Sequence, residues 1–308
     1  MPPRITTDVG DALDVILAGG LVAIPTETVY GLAADASNDE AVRRVFVAKG
    51  RPADHPLIVH VGRAEQLDEW AEHVPASAAL LATVCWPGPL TVLVPRAAHV
   101  LGVVTGRRST VGIRVPAHPL ATELLERFGG GLAAPSANRF GKVSPTTAEH
   151  VRRDLGDIAG AVDLILDGGP CPIGIESTIV DCTVHPVQVL RPGGIPTEQV
   201  QRLLAGAVAP ASGASRAPGM LTSHYAPRCP VLLAESVGEA RLIASLQEHP
   251  LVLDDVDDLV GYAQHLYERM RRADDDGCSA VVAVLPPAEG LGHAIRDRLL
   301  KAAADRAG

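Results

Sequence analysis

The chain has 308 residues, 47% of them hydrophobic and 20% charged, and its 27 basic and 36 acidic side chains leave a net charge of −9. That length and apolar content call for one large or two ordinary domains with packed cores, and 30 glycines with 25 prolines exclude a simple helical bundle without reaching the level of a disordered chain. The acidic balance argues against a protein that grips nucleic acid over its whole surface, and 3% aromatic content argues against a base-stacking platform.

In chain order, Thr6 or Thr7 is expected to cap a first helix with apolar positions Val9, Ala12, Leu13, Ile16 and Leu17, ending at Gly19 and Gly20. A strand follows over 21–25. Ser37 and Asn38 cap a second helix that carries Val42, Val45 and Phe46 and stops at Gly50. Strands are predicted over 57–61, 90–94, 111–115, 132–134, 164–166, 178–180 and 187–190, and helices over 65–71, 76–84, 119–128 and 145–154. The last of these helices reads as Ser144 at the cap with Pro145 in the first helical position.

Residues 205–219 are nearly all small and predict an unordered linker. From residue 230 the pattern turns regular. Strands over 231–234, 251–253 and 280–285 alternate with helices over 237–246, 259–272 and 290–303, the order of a small parallel, Rossmann-like sheet. The fold class is therefore α/β (α+β): a mixed-sheet domain over 1–204, a linker over 205–229 and a small βαβαβα domain over 230–308. Five cysteines without a CxxC pair fit neither a disulfide framework nor a zinc site, and no metal-ligating residues are assigned. The opening segment turns acidic at once, and no apolar run reaches the length of a membrane span, so a cytoplasmic protein without membrane contact is expected.

Walker, HExxH, GxSxG and kinase signatures are absent, and the one GxGxxA match, at Gly129, Gly131 and Ala134, lies between a helix and a strand in the wrong order. The polar chemistry gathers instead beyond apolar strands. Residues 25–31, PTETVYG, put two hydroxyls and a carboxylate at a strand end, either as a site or as a capped turn. Lys49 and Arg51 flank Gly50 in a proline-stiffened loop, either to hold phosphate from two sides or to complement a helix dipole. Lys49 is one of only three lysines, with Lys142 and Lys301.

Arg114 lies inside an apolar strand and needs a carboxylate partner, from the protein or from a ligand. Ser136, Asn138, Lys142 and Ser144 crowd one connection, where Ser144 is either a helix cap or part of a phosphate site. Arg191 emerges from a strand into a glycine turn. Together these cations suggest a pocket for a polyanionic small ligand.

The motifs PTETVYGL (25–32), KGRP (49–52), PLIVHV (56–61), WPGPLT (86–91), STVGIRVP (109–116), APSAN (134–138), EST (176–178) and LRPG (190–193) resemble, in order and spacing, the YrdC-like threonylcarbamoyl-AMP synthases. PGM at 218–220 and SHYAP at 223–227 resemble the long, two-domain form. The resemblance implies a twisted mixed sheet around a large, positively charged concave cavity. It implies synthesis of threonylcarbamoyl-AMP and pyrophosphate from L-threonine, bicarbonate or CO2, and ATP with Mg2+. The product would serve proteins that modify the tRNA adenosine beside the anticodon, with tRNA and those transfer proteins as partners.

By the same resemblance Thr28, His60, Arg114 and Ser177, with the Ala134 backbone, hold threonine. Lys49, Arg51, His55, Thr110, Ser136, Asn138, Ser144, Arg191 and Tyr225 surround ATP, with Lys49 and Arg51 as the catalytic cations and Tyr225 as a lid. Ala33 and His55 depart from the family pattern, which has glycine and an amide there. The alternatives are a carbamoyltransferase-related nucleotidyl enzyme and a double-stranded RNA or tRNA-binding module.

Overall fold

The computed structural model describes residues 3–206, 208–212, 216–220 and 224–304. Ser223 of the SHYAP motif and residues 213–215 of the linker lie outside the described residues.

An eleven-stranded mixed sheet carries the first two thirds of the chain. From one edge to the other its strands are Arg4–Thr6, Leu164–Leu166, Val22–Ile24, Gly31–Asp35, Leu132–Ala133, Ile58–His60, Thr110–Arg114, Leu90–Pro95, Thr178–Asp181, Val187–Arg191 and Val208–Pro210. Ile58–His60 runs parallel to Thr110–Arg114, with His60 opposite Arg114. Leu90–Pro95 runs parallel to Thr178–Asp181. These pairings bring the polar strand ends named above to the middle of one sheet. A separate three-stranded sheet, Val231–Ala234, Ala280–Val284 and Pro250–Leu253, is parallel throughout.

Local chemistry sets most of the helices. Asn38 caps Asp39–Lys49 by accepting from the Ala41 amide at 3.1 Å, and Gly50 ends it in the left-handed conformation at φ 61°. Pro119 starts Pro119–Phe128 and Gly129 stops it. The first helix, Val9–Leu17, is capped by Asp8, because Thr6 is taken up in the edge strand Arg4–Thr6. The helix expected from Pro145 begins later, as Ala148–Leu155 with Thr147 at its cap. Ser144 has a different partner, described below.

The linker expectation needs correction. Val208–Pro210 adds a parallel strand to Val187–Arg191, and Arg216 reaches Asp181 at 2.6 Å. Val208–Pro210 gains order from an existing sheet edge rather than from a core of its own.

The main apolar core packs the large sheet against the helices Asp39–Lys49, Ala76–Cys85 and Ala148–Leu155. A second cluster straddles the two sheets. It joins Val29, Val143 and Ile175 of the large unit to Tyr225 of the linker and to Tyr262, Leu266, Tyr267 and Met270 of the helix Leu259–Asp275. Gly174, at φ 78°, permits this contact: a Cβ there would lie 2.3 Å from the Gln264 carbonyl oxygen. Arg271 adds an ion pair with Asp154 at 2.6 Å. The small sheet is thus built into the large one, not tethered to it.

Candidate active site

A partly open cavity lies where these strand ends converge. Thr28, Arg51, His60, Arg114, Ala134, Ser136, Ser177, Arg191 and Tyr225 of the sequence reading line it. So do Thr26, Glu176, His224, Pro218 and Gly219, which that reading did not assign to the site.

The turn after Val22–Ile24 is organised by one hydroxyl. Thr26 Oγ1 accepts from the amides of Thr28 and Val29, donates to the Val29 carbonyl at 2.6 Å, and lies 2.8 Å from Thr28 Oγ1. This holds Glu27 and Thr28 inward against Arg114. Arg114 donates from Nη1 to Thr28 Oγ1 at 3.0 Å and from Nε to the Gly88 carbonyl at 3.2 Å. Its Nη2 lies 2.7 Å from Glu27 Oε1, but off the line of a hydrogen bond.

Glu27 is therefore the carboxylate partner that the buried Arg114 requires, supplied by the protein itself. The unaligned Nη2 keeps donor capacity for a ligand. Beside it, burial first and Arg114 second push the His60 imidazole down to about 3, and its Nδ1 has no partner. His60 is neutral and cannot act as a cation near neutrality.

On the opposite wall Arg191 braces the loop it faces. It donates to the Ser177 carbonyl from Nη2 at 2.8 Å and from Nε at 3.1 Å, to Ser177 Oγ at 3.1 Å, and to the linker's Pro218 carbonyl at 3.4 Å. Ser177 Oγ also lies 2.8 Å from Thr91 Oγ1. Arg51 donates to the Pro56 carbonyl at 3.0 Å and lies over the Phe140 ring at 5.6 Å. Burial lowers its guanidinium to about 10, so it stays charged, and its Nε has no partner.

The remaining predicted residues stand behind the walls. Lys49 is fully buried and donates to the carbonyls of Ser136 and Asn138, and burial holds its ammonium well below the ordinary lysine range. Asn138 donates to the carbonyls of Arg139 and Lys142, both at 2.8 Å, while its own Oδ1 has no partner. The His55 ring meets Phe140 edge-on at 5.4 Å, and Thr110 sits at the start of its strand opposite Pro95. Neither lines the cavity. Lys142 is exposed, outside the ring of cations.

Ser144 donates to Glu176 Oε1 at 2.6 Å, which replaces the helix-capping role. Glu176 Oε2 accepts from Tyr267 Oη and from Arg298 Nε, each at 2.8 Å. Burial alone would raise this carboxyl, but Arg298, Arg191 and the Ser144 hydroxyl draw it down to about 2. Over the cavity, Tyr225 adopts φ 64°, unusual for a non-glycine residue, and its buried hydroxyl has no partner. Its ring meets His224 edge-on at 4.1 Å and stacks on Tyr267 at 5.7 Å.

These groups predict how stability depends on acidity. Burial holds His60 and His224 down to about 3, against an ordinary value of 6.5. Between those values the unfolded chain binds protons that the folded chain refuses, so stability falls as pH falls through 6. Glu176 acts in the same direction below 4.5. The thermal midpoint is expected to drop steadily from pH 6.5 to pH 4, measured by calorimetry; a midpoint that held or rose would contradict the buried, neutral imidazoles.

Among the described residues no three His, Cys, Asp or Glu side chains gather as a metal site, and no helix is long and apolar enough to cross a membrane. The sequence profile of the telomere recombination family (Sua5, YciO and YrdC) matches residues 14–193, and that of the threonylcarbamoyl-AMP synthase C-terminal domain matches residues 195–304. The threonylcarbamoyl-AMP synthase of Pyrococcus abyssi is 39% identical, over 96% of this chain and 94% of the relative. That of Bacillus subtilis is also 39% identical, over 97% and 93%. The crystal structure of P. abyssi Sua5 complexed with L-threonine superposes with a TM-score of 0.90 at 38% identity, covering 98% of this chain and 97% of that one. The chain belongs to the two-domain threonylcarbamoyl-AMP synthase family.

Proposed function

We propose that the cavity makes threonylcarbamoyl-AMP and pyrophosphate from L-threonine, bicarbonate or CO2, and ATP. The observation that carries this reading is the meeting of Arg51, Arg114 and Arg191 with the hydroxyls of Thr28, Ser136 and Ser177 in one hollow. Threonine is placed against Thr28, His60, Arg114, Ser177 and the Ala134 backbone. Its carboxylate faces the unaligned Nη2 of Arg114, and its amine takes up CO2 to form a carbamate. ATP is placed against Arg51, Ser136 and Arg191, under Tyr225, with Asn138 holding the loop behind Ser136. A carbamate oxygen then attacks the α-phosphorus and pyrophosphate leaves.

Such a step needs alignment and charge stabilisation more than a base. Arg51 and Arg191 supply the charge. Lys49 acts through the 136–138 loop whose carbonyls it holds, and His55, Thr110 and Ser144 support the walls from behind. Glu27 and Glu176 are both engaged by protein donors, so the walls offer no carboxylate cage for Mg2+. The ion belongs with the phosphates of the nucleotide, and no step here is routed through it. The product is proposed to pass to the proteins that transfer it to tRNA.

Pyrophosphate release measured with each substrate omitted in turn tests the reading. Release is expected only when threonine, bicarbonate and ATP are all present. Release indifferent to threonine, or turnover of carbamoyl phosphate in its place, would overturn it. Tight tRNA binding without any ATP turnover would favour a binding module instead.

A further inference from the structure

Arg298 lies on the last helix, Gly292–Ala303, yet it is completely buried. Its Nε donates to Glu176 at 2.8 Å, and its Nη1 donates to the Pro192 carbonyl at 2.9 Å and to Asp297 at 2.6 Å. Its guanidinium carbon sits 5.1 Å from the centre of the Tyr225 ring, and its Nη2 has no partner. Nearly one turn on, Lys301 Nζ donates to the Gly219 carbonyl at 2.6 Å, and the Lys301 backbone carbonyl accepts from the His224 amide at 3.1 Å. One face of one helix therefore touches both the linker and the loop that bears Glu176. Glue between two units needs no buried cation, since well-packed apolar residues serve as well or better. This cation ends instead on two groups that wall the cavity.

We infer that Arg298 is a positioning residue for the reaction, fixing the Glu176 carboxylate and the Tyr225 ring on two walls of the cavity from the far end of the chain. The inference rests on the synthase reading above. Glu176 is faced by Ser144 and Arg191 from the large sheet, by His224 and Tyr225 from the linker, by Tyr267 from Leu259–Asp275 and by Arg298, with Asp297 and Lys301 beyond. Without Arg298, Arg191 is the close cation left on that carboxylate among the described residues. The carboxyl then protonates more readily and loosens its grip on Ser144 and Tyr267, and the Tyr225 ring loses the cation packed on its face.

Full-length Arg298→Gln and Arg298→Lys are compared by two readouts. One is kcat/KM for threonine-dependent pyrophosphate release across pH. The other is the carboxyl titration of Glu176 by carbon NMR without substrates, with the signal assigned from Glu176→Gln. Arg298→Gln is expected to lower kcat/KM about tenfold or more and to move the acid limb and the Glu176 titration upward by about one pH unit or more. Arg298→Lys is expected to restore most of both.

A folded Arg298→Gln with wild-type turnover overturns the inference. So does a loss that merely tracks the unfolded fraction while the Glu176 titration stays put. A wild-type protein that releases no threonine-dependent pyrophosphate overturns the synthase reading instead, while the substrate-free titration still decides whether Arg298 holds Glu176.

Discussion

Arg114→Ala is expected to raise the KM for threonine about a hundredfold and to leave that for ATP within about threefold, the scale of losing a charge-assisted contact to a carboxylate. The asymmetry follows from position. Arg114 shares its wall with Thr28 and His60, whereas Arg51 reaches the cavity from the loop after the helix Asp39–Lys49 and Arg191 from the end of the strand Val187–Arg191. The substitution has a second consequence. Glu27 is buried and its Oε1 faces Arg114 alone, so alanine strands a carboxylate, a loss of about 3–5 kcal/mol in comparable buried pairs.

The single variant can therefore fail through folding. Arg114→Ala with Glu27→Gln removes the stranded charge and is expected to recover much of the stability while keeping the threonine defect. Steady-state kinetics with each substrate varied, alongside denaturant melts, separate the two effects. Equal KM increases for both substrates in the double variant would refute the assignment of Arg114 to threonine.

Tyr225→Ala is expected to lower kcat/KM for ATP about a hundredfold with the circular dichroism spectrum preserved. The ring is clasped by His224, Tyr267 and Arg298 and belongs to the cluster between the two sheets, so its loss opens the cover of the cavity and loosens that cluster together. Gly219 packs beneath it: a Cβ there would lie 2.7 Å from Tyr225 Oη and 2.8 Å from Arg191 Cδ. Tyr225→Phe keeps the ring and tests the unpartnered hydroxyl by itself. Little change in Phe with a large loss in Ala assigns the role to the ring. Full activity of Tyr225→Ala would remove the lid from the proposal.

The elements legible in the sequence are those with local instructions. Asn38 and Gly50 bound the second helix as read, and the regular alternation after residue 230 gives the three parallel strands. The strand Gly31–Asp35 escaped because Gly-Leu-Ala-Ala-Asp has no β-branched residue; it is a strand only because Val22–Ile24 and Leu132–Ala133 flank it. Ser144 escaped for the opposite reason. Ser-Pro is a strong local capping pattern, and Glu176, 32 residues away, outbids it.

Arg114 is legible as a buried cation short of a partner, and the nearer carboxylate, Glu27, stands in the PTETVYGL motif. Arg298 carries the same signal. It falls at the apolar spacing of Ile295 and Ala302, where a charge calls for a partner elsewhere in the fold.

The order of strands at the sheet's first edge bears on synthesis in the cell. Leu164–Leu166 is inserted between Arg4–Thr6 and Val22–Ile24, so these two earlier segments have an empty lane between them until a strand about 140 residues after the second of them is made. That long wait favours slow closure and leaves early apolar strands bare to other nascent chains, a period in which a chaperone has something to hold.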